Sequence, residues 1–193
     1  MSHERLELLK RWVSRVWLLS PERLWLASIA LHKRGHWVLA FWIKQLNMLL
    51  YSNSLAPGAS VSSDILLGHN SIGIVVSSSV TIGRRVKIWQ NVTLSAGRPA
   101  RTPANGTQAA PVPISRIVVE DGVKIGANAV IVAPRGRTLS IGRGARVGAG
   151  TVVTEDVPAG ATVVGAPSRT LRSEPTSQDP DKQLHGVPDE GEP

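Results

Sequence analysis

The chain has 193 residues, a formal net charge of +8 from 22 Lys and Arg against 14 Asp and Glu, and no Cys. That length suits one compact domain with appendages, and the missing Cys excludes a disulfide framework, a thiolate metal site and a thiol nucleophile. The charge is uneven, because residues 173–193 hold six acidic side chains against Lys182 alone, which leaves 21 basic and 8 acidic side chains in residues 1–172.

A basic body of this kind suits a polyanion: a phosphorylated cofactor, an anionic membrane surface or a nucleic acid. Nucleic acid is disfavoured, since Trp89 is the one aromatic residue within the repeats described below and stacking platforms are therefore lacking. A merely solvated basic surface stands beside these readings. No segment reaches the roughly 18 apolar residues of a membrane span, and the N-terminus lacks a secretory pattern, so the chain is read as cytoplasmic.

Residues 1–53 form the N-terminal helical segment. Leu6, Leu9, Val13, Val16 and Trp17 return at steps of three or four, which makes one face of a helix. Ser20-Pro21 reads as an N-cap and first-turn proline, and Gly35 as a stop after the basic turn His32-Lys33-Arg34. A third helix is predicted from about His36 to Leu50. Five of the six Trp residues (12, 17, 25, 37 and 42) lie here, interleaved with Leu and basic residues. Two readings follow: an interfacial membrane anchor, or helices that pack on each other and on neighbouring subunits.

Residues 54–171 carry a different period. Val76, Ile82, Ile88 and Leu94 are spaced by six, as are Val119, Ile125 and Ile131, and again Ile141, Val147 and Val153; Leu55, Val61 and Leu67 open the series. A period of six is neither the 3.6 of a helix nor the two of a single half-buried strand. It marks a repeat whose units bury almost nothing alone and close a core when stacked. The register breaks at His69-Asn-Ser-Ile72, at an excursion over residues 95–115 that is rich in Gly and Pro, and at Pro134–Ser140. A loop as long as 95–115 is functional or disordered. Residues 172–193 are acidic, Pro-rich and nearly free of apolar side chains, and are predicted to be a disordered tail.

The unit [Leu/Ile/Val]-Gly-x-x-[small]-x resembles that of the hexapeptide-repeat acyltransferases. The resemblance implies a mainly β fold, a left-handed parallel β-helix with three hexapeptides per coil; roughly ten recognisable units then make about four coils. Within that group, Leu66-Leu-Gly-His-Asn-Ser-Ile-Gly-Ile-Val-Val76 and Val86-Lys-Ile-Trp-Gln-Asn-Val-Thr-Leu94 are similar to the serine O-acetyltransferase segments Leu-Asp-His-x-x-Gly-Ile-Val-Val and Ile-Leu-Gln-x-Val-Thr-Leu. The similarity covers about residues 24 to 171.

His69 is the one His within the repeats, and His is the side chain able to take and return a proton near neutral pH. The resemblance makes it the general base of an acetyl-CoA-dependent O-acetyltransferase that transfers acetyl directly to an acceptor hydroxyl. It implies acetyl-CoA as co-substrate, no metal, a homotrimer with active sites between subunits, and no nucleic acid partner. Gly126-Ala127, Gly148-Ala149 and Gly165-Ala166-Pro167 would line the groove for the pantetheine arm, with Arg169 meeting a CoA phosphate. These small residues also suit tight coil turns by themselves.

Three departures bear on the acceptor. Gly68 stands where the family has the Asp that contacts serine. Ser54 stands where it has the Asp that orients the base, and a hydroxyl holds an imidazolium less firmly than a carboxylate. The family's second His has no counterpart, Arg116 being nearest in spacing. L-serine or a related hydroxyl compound is therefore one expected acceptor and a sugar of a surface polysaccharide or envelope precursor the other; a silent CoA-binding scaffold is the reading outside enzymes. Peripheral membrane contact through the N-terminal helices is a further expectation.

Overall fold

A computed structural model describes residues 19–97 and 114–165. The first helix expected from the sequence, the interior of the 95–115 excursion, the segment from Ala166 through Pro167 to Arg169, and the acidic tail lie outside the described residues.

Among the described residues, two helices come first. Helix α1 spans Pro21–Lys33 and helix α2 Trp37–Tyr51. Ser20 caps α1, its hydroxyl accepting a long 3.4 Å bond from the Arg23 amide, and Pro21 occupies the first turn, where a missing N–H costs nothing. Gly35, at φ 81°, turns the chain between the helices. Helix α1 closes one end of the fold: Trp25 is 1% exposed and its Nε1 donates to the Ala56 carbonyl at 2.9 Å, while the Leu67 amide donates to a Glu22 carboxylate oxygen at 3.1 Å.

Fourteen short strands follow among the described residues, all paired in parallel, on three faces. The first face stacks β1 (Ser54–Leu55), β4 (Val75–Val76), β7 (Thr93–Ala96), β10 (Val130–Ala133) and β13 (Val152–Val153). The second stacks β2 (Ser60–Val61), β5 (Val80–Ile82), β8 (Arg116–Val119) and β11 (Thr138–Ile141), with a single bridge from Ile141 to Val157 completing it. The third stacks β3 (Leu66–Leu67), β6 (Lys87–Ile88), β9 (Lys124–Ile125), β12 (Arg146–Val147) and β14 (Thr162–Val163). Each strand is too short to bury a face alone; the period-six residues stack instead into columns. Leu55, Val76, Leu94, Ile131 and Val153 are in register on the first face, and Leu67, Ile88, Ile125, Val147 and Val163 on the third. Most of these side chains are under 6% exposed, and they form one continuous core.

The three faces make five coils where the repeat count predicts about four. Gly follows the inward residue at Leu67, Ile82, Ile125, Ile141 and Val147, whereas Leu55-Ala56, Val61-Ser62, Val153-Thr154 and Val157-Pro158 keep only the apolar residue. Stacking requires that apolar residue; Gly is needed only where a turn is tight.

Candidate active site

His69 lies between the third and first faces, in a tight turn over Gly68–Ser71. His69, Asn70 and Ser71 have φ of 49°, 53° and 61°, and Gly73 has 68°. Three successive residues with a Cβ in the left-handed region are each disfavoured by about 1–2 kcal/mol, so something must hold them. Ser71 is fully buried, and its hydroxyl accepts from Asn53 Nδ2 at 2.7 Å while donating to the Asn70 carbonyl. The second hydrogen of Asn53 Nδ2 goes to Asn47 Oδ1 at 3.0 Å, and Asn47 Nδ2 donates to the Pro21 carbonyl at 2.9 Å. A buried polar chain therefore runs from the start of α1, through the end of α2, to the turn that presents His69. The Gly73 amide, donating to the Ser52 carbonyl at 2.9 Å, fastens the far side of the turn. The turn leaves His69 exposed.

Ser54 is half-buried at the start of β1, its amide donating to the Ile74 carbonyl at 2.8 Å and its Cα paired with Val75. No hydrogen bond joins it to His69 in this structure.

Of the small residues predicted to line a groove, Gly126, Ala127, Gly148 and Ala149 are brought together. Because the third face keeps register through all five coils, the residue after each inward apolar one stacks at a single corner of the prism: Gly68, Trp89, Gly126, Gly148 and Val164. At roughly 4.8 Å per rung, Gly68 and Gly148 stand about 14 Å apart along this corner. A Cβ on Gly68 would lie 3.3 Å from Trp89 Cδ1, so the turn bearing His69 abuts Trp89. Trp89 in turn lines an open groove of about 310 Å³ with Lys124, Gly126, Ala127, Arg146, Val147, Gly148 and Ala149. At Gly126 the small side chain is obligatory for stacking, since a Cβ would sit 2.6 Å from the Ala149 amide nitrogen. Gly165 follows on the last coil, its amide donating to Thr151 Oγ1 at 3.0 Å.

Three groove residues escape a reading based on small side chains. Trp89 provides the apolar wall. Lys124 and Arg146 are Cα partners on adjacent strands, with Lys87 on the rung before, and all three are exposed without an ion-pair partner among the described residues. The signal was present in the sequence: Lys87-Ile88, Lys124-Ile125 and Arg146-Val147 place a cation just before the inward residue of the same face. Like charges stacked about 5 Å apart repel one another, which favours a bound anion between them.

Comparison with known proteins agrees with this geometry. The hexapeptide repeat of succinyl-transferase matches residues 116–155. The serine acetyltransferase of Bacillus licheniformis is 30% identical over 142 residues, covering 74% of this chain and 58% of the relative. That of Escherichia coli K12 is 30% identical over 170 residues, covering 83% of this chain and 56% of the relative. The chain thus spans somewhat more than half the length of the curated relatives it matches. The crystal structure of the Neisseria gonorrhoeae serine acetyltransferase in complex with serine superposes with a TM-score of 0.59 at 27% identity, covering 78% of this chain and 55% of that one. The fold is the left-handed parallel β-helix of these proteins, preceded by helices.

Proposed function

The chain belongs to the hexapeptide-repeat family that includes the serine acetyltransferases, and from that premise we propose that it is an acetyl-CoA-dependent O-acetyltransferase. One observation carries the reading: the turn that presents His69 and the groove lined by Gly126-Ala127 and Gly148-Ala149 occupy the same corner of the prism, joined by Trp89. The pantetheine arm lies along the small residues, where no side chain holds it off the backbone. Lys124 and Arg146, with Arg169 beyond the described residues, meet the phosphates of CoA.

In the reaction, His69 takes the proton of the acceptor hydroxyl as its oxygen attacks the thioester carbonyl. The tetrahedral oxyanion collapses, the carbon–sulfur bond breaks, and the imidazolium returns its proton to the departing CoA thiolate. Acceptor and thioester need only be held together, so the step calls for neither a covalent enzyme intermediate nor a metal. Ser54 is the hydroxyl available at the start of β1 to steady the ring.

L-serine is the first acceptor of this reading, following the relatives. A sugar hydroxyl of an envelope glycan is the second, and it is favoured by Gly68, which lies against Trp89 and offers no carboxylate of its own. A homotrimer belongs to the same proposal. The test is thiol release from acetyl-CoA by the purified chain, titrated with L-serine and with a panel of sugars and nucleotide sugars. Saturable release with either class, abolished in His69→Ala, supports the transferase and names its acceptor. Silence with every acceptor, with CoA still bound, would leave a binding scaffold in its place.

A further inference from the structure

Helix α2 is hydrophobic almost all round, yet it buries little. Nine of its fifteen residues are large apolar side chains left exposed, among them Trp37 at 68%, Val38 at 74%, Trp42 at 64% and Leu49 at 80%. Only Ala40 and Asn47 are buried. At about 100° per residue, the exposed apolar positions from Trp37 round to Leu50 sweep roughly 220° of the helix, interrupted by Gln45 alone. A neighbouring helix covers a stripe of about 100°, so one packed helix would leave half of this arc in water. A continuous apolar medium would cover all of it.

The charges around the arc point to the same occupant. Between Glu22 and Asp64 the sequence holds no acidic residue and four Lys or Arg. Lys33 and Arg34 stand exposed at the turn leading into α2, and Lys44 is its one charged residue. Cations beside a Trp-bearing apolar arc are the composition of a helix lying in the boundary between lipid headgroups and acyl chains. No described helix is long and apolar enough to cross a membrane, and the fifteen residues of α2, about 22 Å long, fall short of the roughly 30 Å hydrocarbon core.

We propose that α2 docks in the plane of an anionic bilayer, its apolar arc below the headgroups and Lys33 and Arg34 among their phosphates. The proposal goes beyond the transferase reading and does not rest on it, since its readout is binding alone.

The test is co-sedimentation of the full chain with vesicles of phosphatidylcholine, with and without phosphatidylglycerol, alongside Trp emission. Binding to the anionic vesicles, a blue shift, and weakening by salt are expected. Trp42→Glu and Leu49→Glu should each weaken binding by about tenfold or more, which is about 1.4 kcal/mol. Val152→Glu, a charge at an equally exposed apolar position on β13, should leave binding unchanged. Failure of the wild type to bind either vesicle, or binding that survives Trp42→Glu and Leu49→Glu together, would overturn the proposal. So would a drop in solution mass on Trp42→Glu with vesicle affinity intact, because the arc would then be a contact between copies.

Discussion

The upper coils and the turn that presents His69 are held by opposite means. In the coils, Leu94, Ile131 and their neighbours are fixed by apolar columns, each rung supported by the one below. The His69 turn contributes no large side chain to those columns, and its backbone is disfavoured at three successive positions. It is held instead from outside the repeat, by Asn53 at the strand entry, which donates to Ser71 and is itself tied to Asn47 of α2. A stacked repeat tolerates a departure from its period where a second element supplies the missing bonds. Here that departure carries the side chain with acid–base chemistry.

The comparison makes graded predictions. The largest effect belongs to the turn's exposed side chain: His69→Ala should lower turnover by about 10²–10⁴-fold while CoA binding, followed by calorimetry, stays as it was. Ile125→Ala, in a fully buried column, should cost about 2–5 kcal/mol in denaturant unfolding and reduce activity only in proportion to folded protein. Asn53→Ala separates the two regions most directly. It leaves Ser71 without its donor and should cost about 1–3 kcal/mol, with turnover falling at constant KM for acetyl-CoA. If turnover tracked the folded fraction alone, the clamp would have no bearing on the base. Lys124→Gln with Arg146→Gln should raise the KM for acetyl-CoA several-fold and flatten its salt dependence, leaving the melting temperature unmoved.

The smallest effect is at the exposed Asp64, beside β3. The Ser62 hydroxyl, donating at 2.7 Å, is the main cause holding its carboxyl below the ordinary value of 3.8, helped by the Arg85 amide and by Arg84. A depressed folded value means that the ionised form is favoured by folding, so this contribution is present above 3.8 and is lost as pH falls through the folded value. The difference in melting temperature between Asp64→Asn and the unaltered chain should therefore shrink on acidification.

What could be read from the sequence follows the same division. The spacing of Val76, Ile82 and Ile88 specified the columns, because register in a stacked coil is a property of period alone. The pairing of Gly126 with Gly148 followed from it. His69 stood out as a break in that period, and its neighbours did not: nothing local to Asn53 or Asn47 announces a partner eighteen or more residues away, or across a helix. Trp89 and the cations of the groove were within reach, since each holds a fixed position relative to Ile88, Ile125 or Val147. Their signal lies in the column beside the small residues, outside the hexapeptide pattern itself.

The attachment of α1 to the first coil has a consequence for how chains can stack on one another. A β-coil ends in unpaired backbone groups, and an open end is a template for a further strand. At the first coil, Glu22 takes the Leu67 amide and Trp25 takes the Ala56 carbonyl, so two of that end's outward backbone groups are already paired. An edge-to-edge contact is therefore disfavoured at that end. Fibre growth needs two open ends on every unit, and pairing at the first coil works against it.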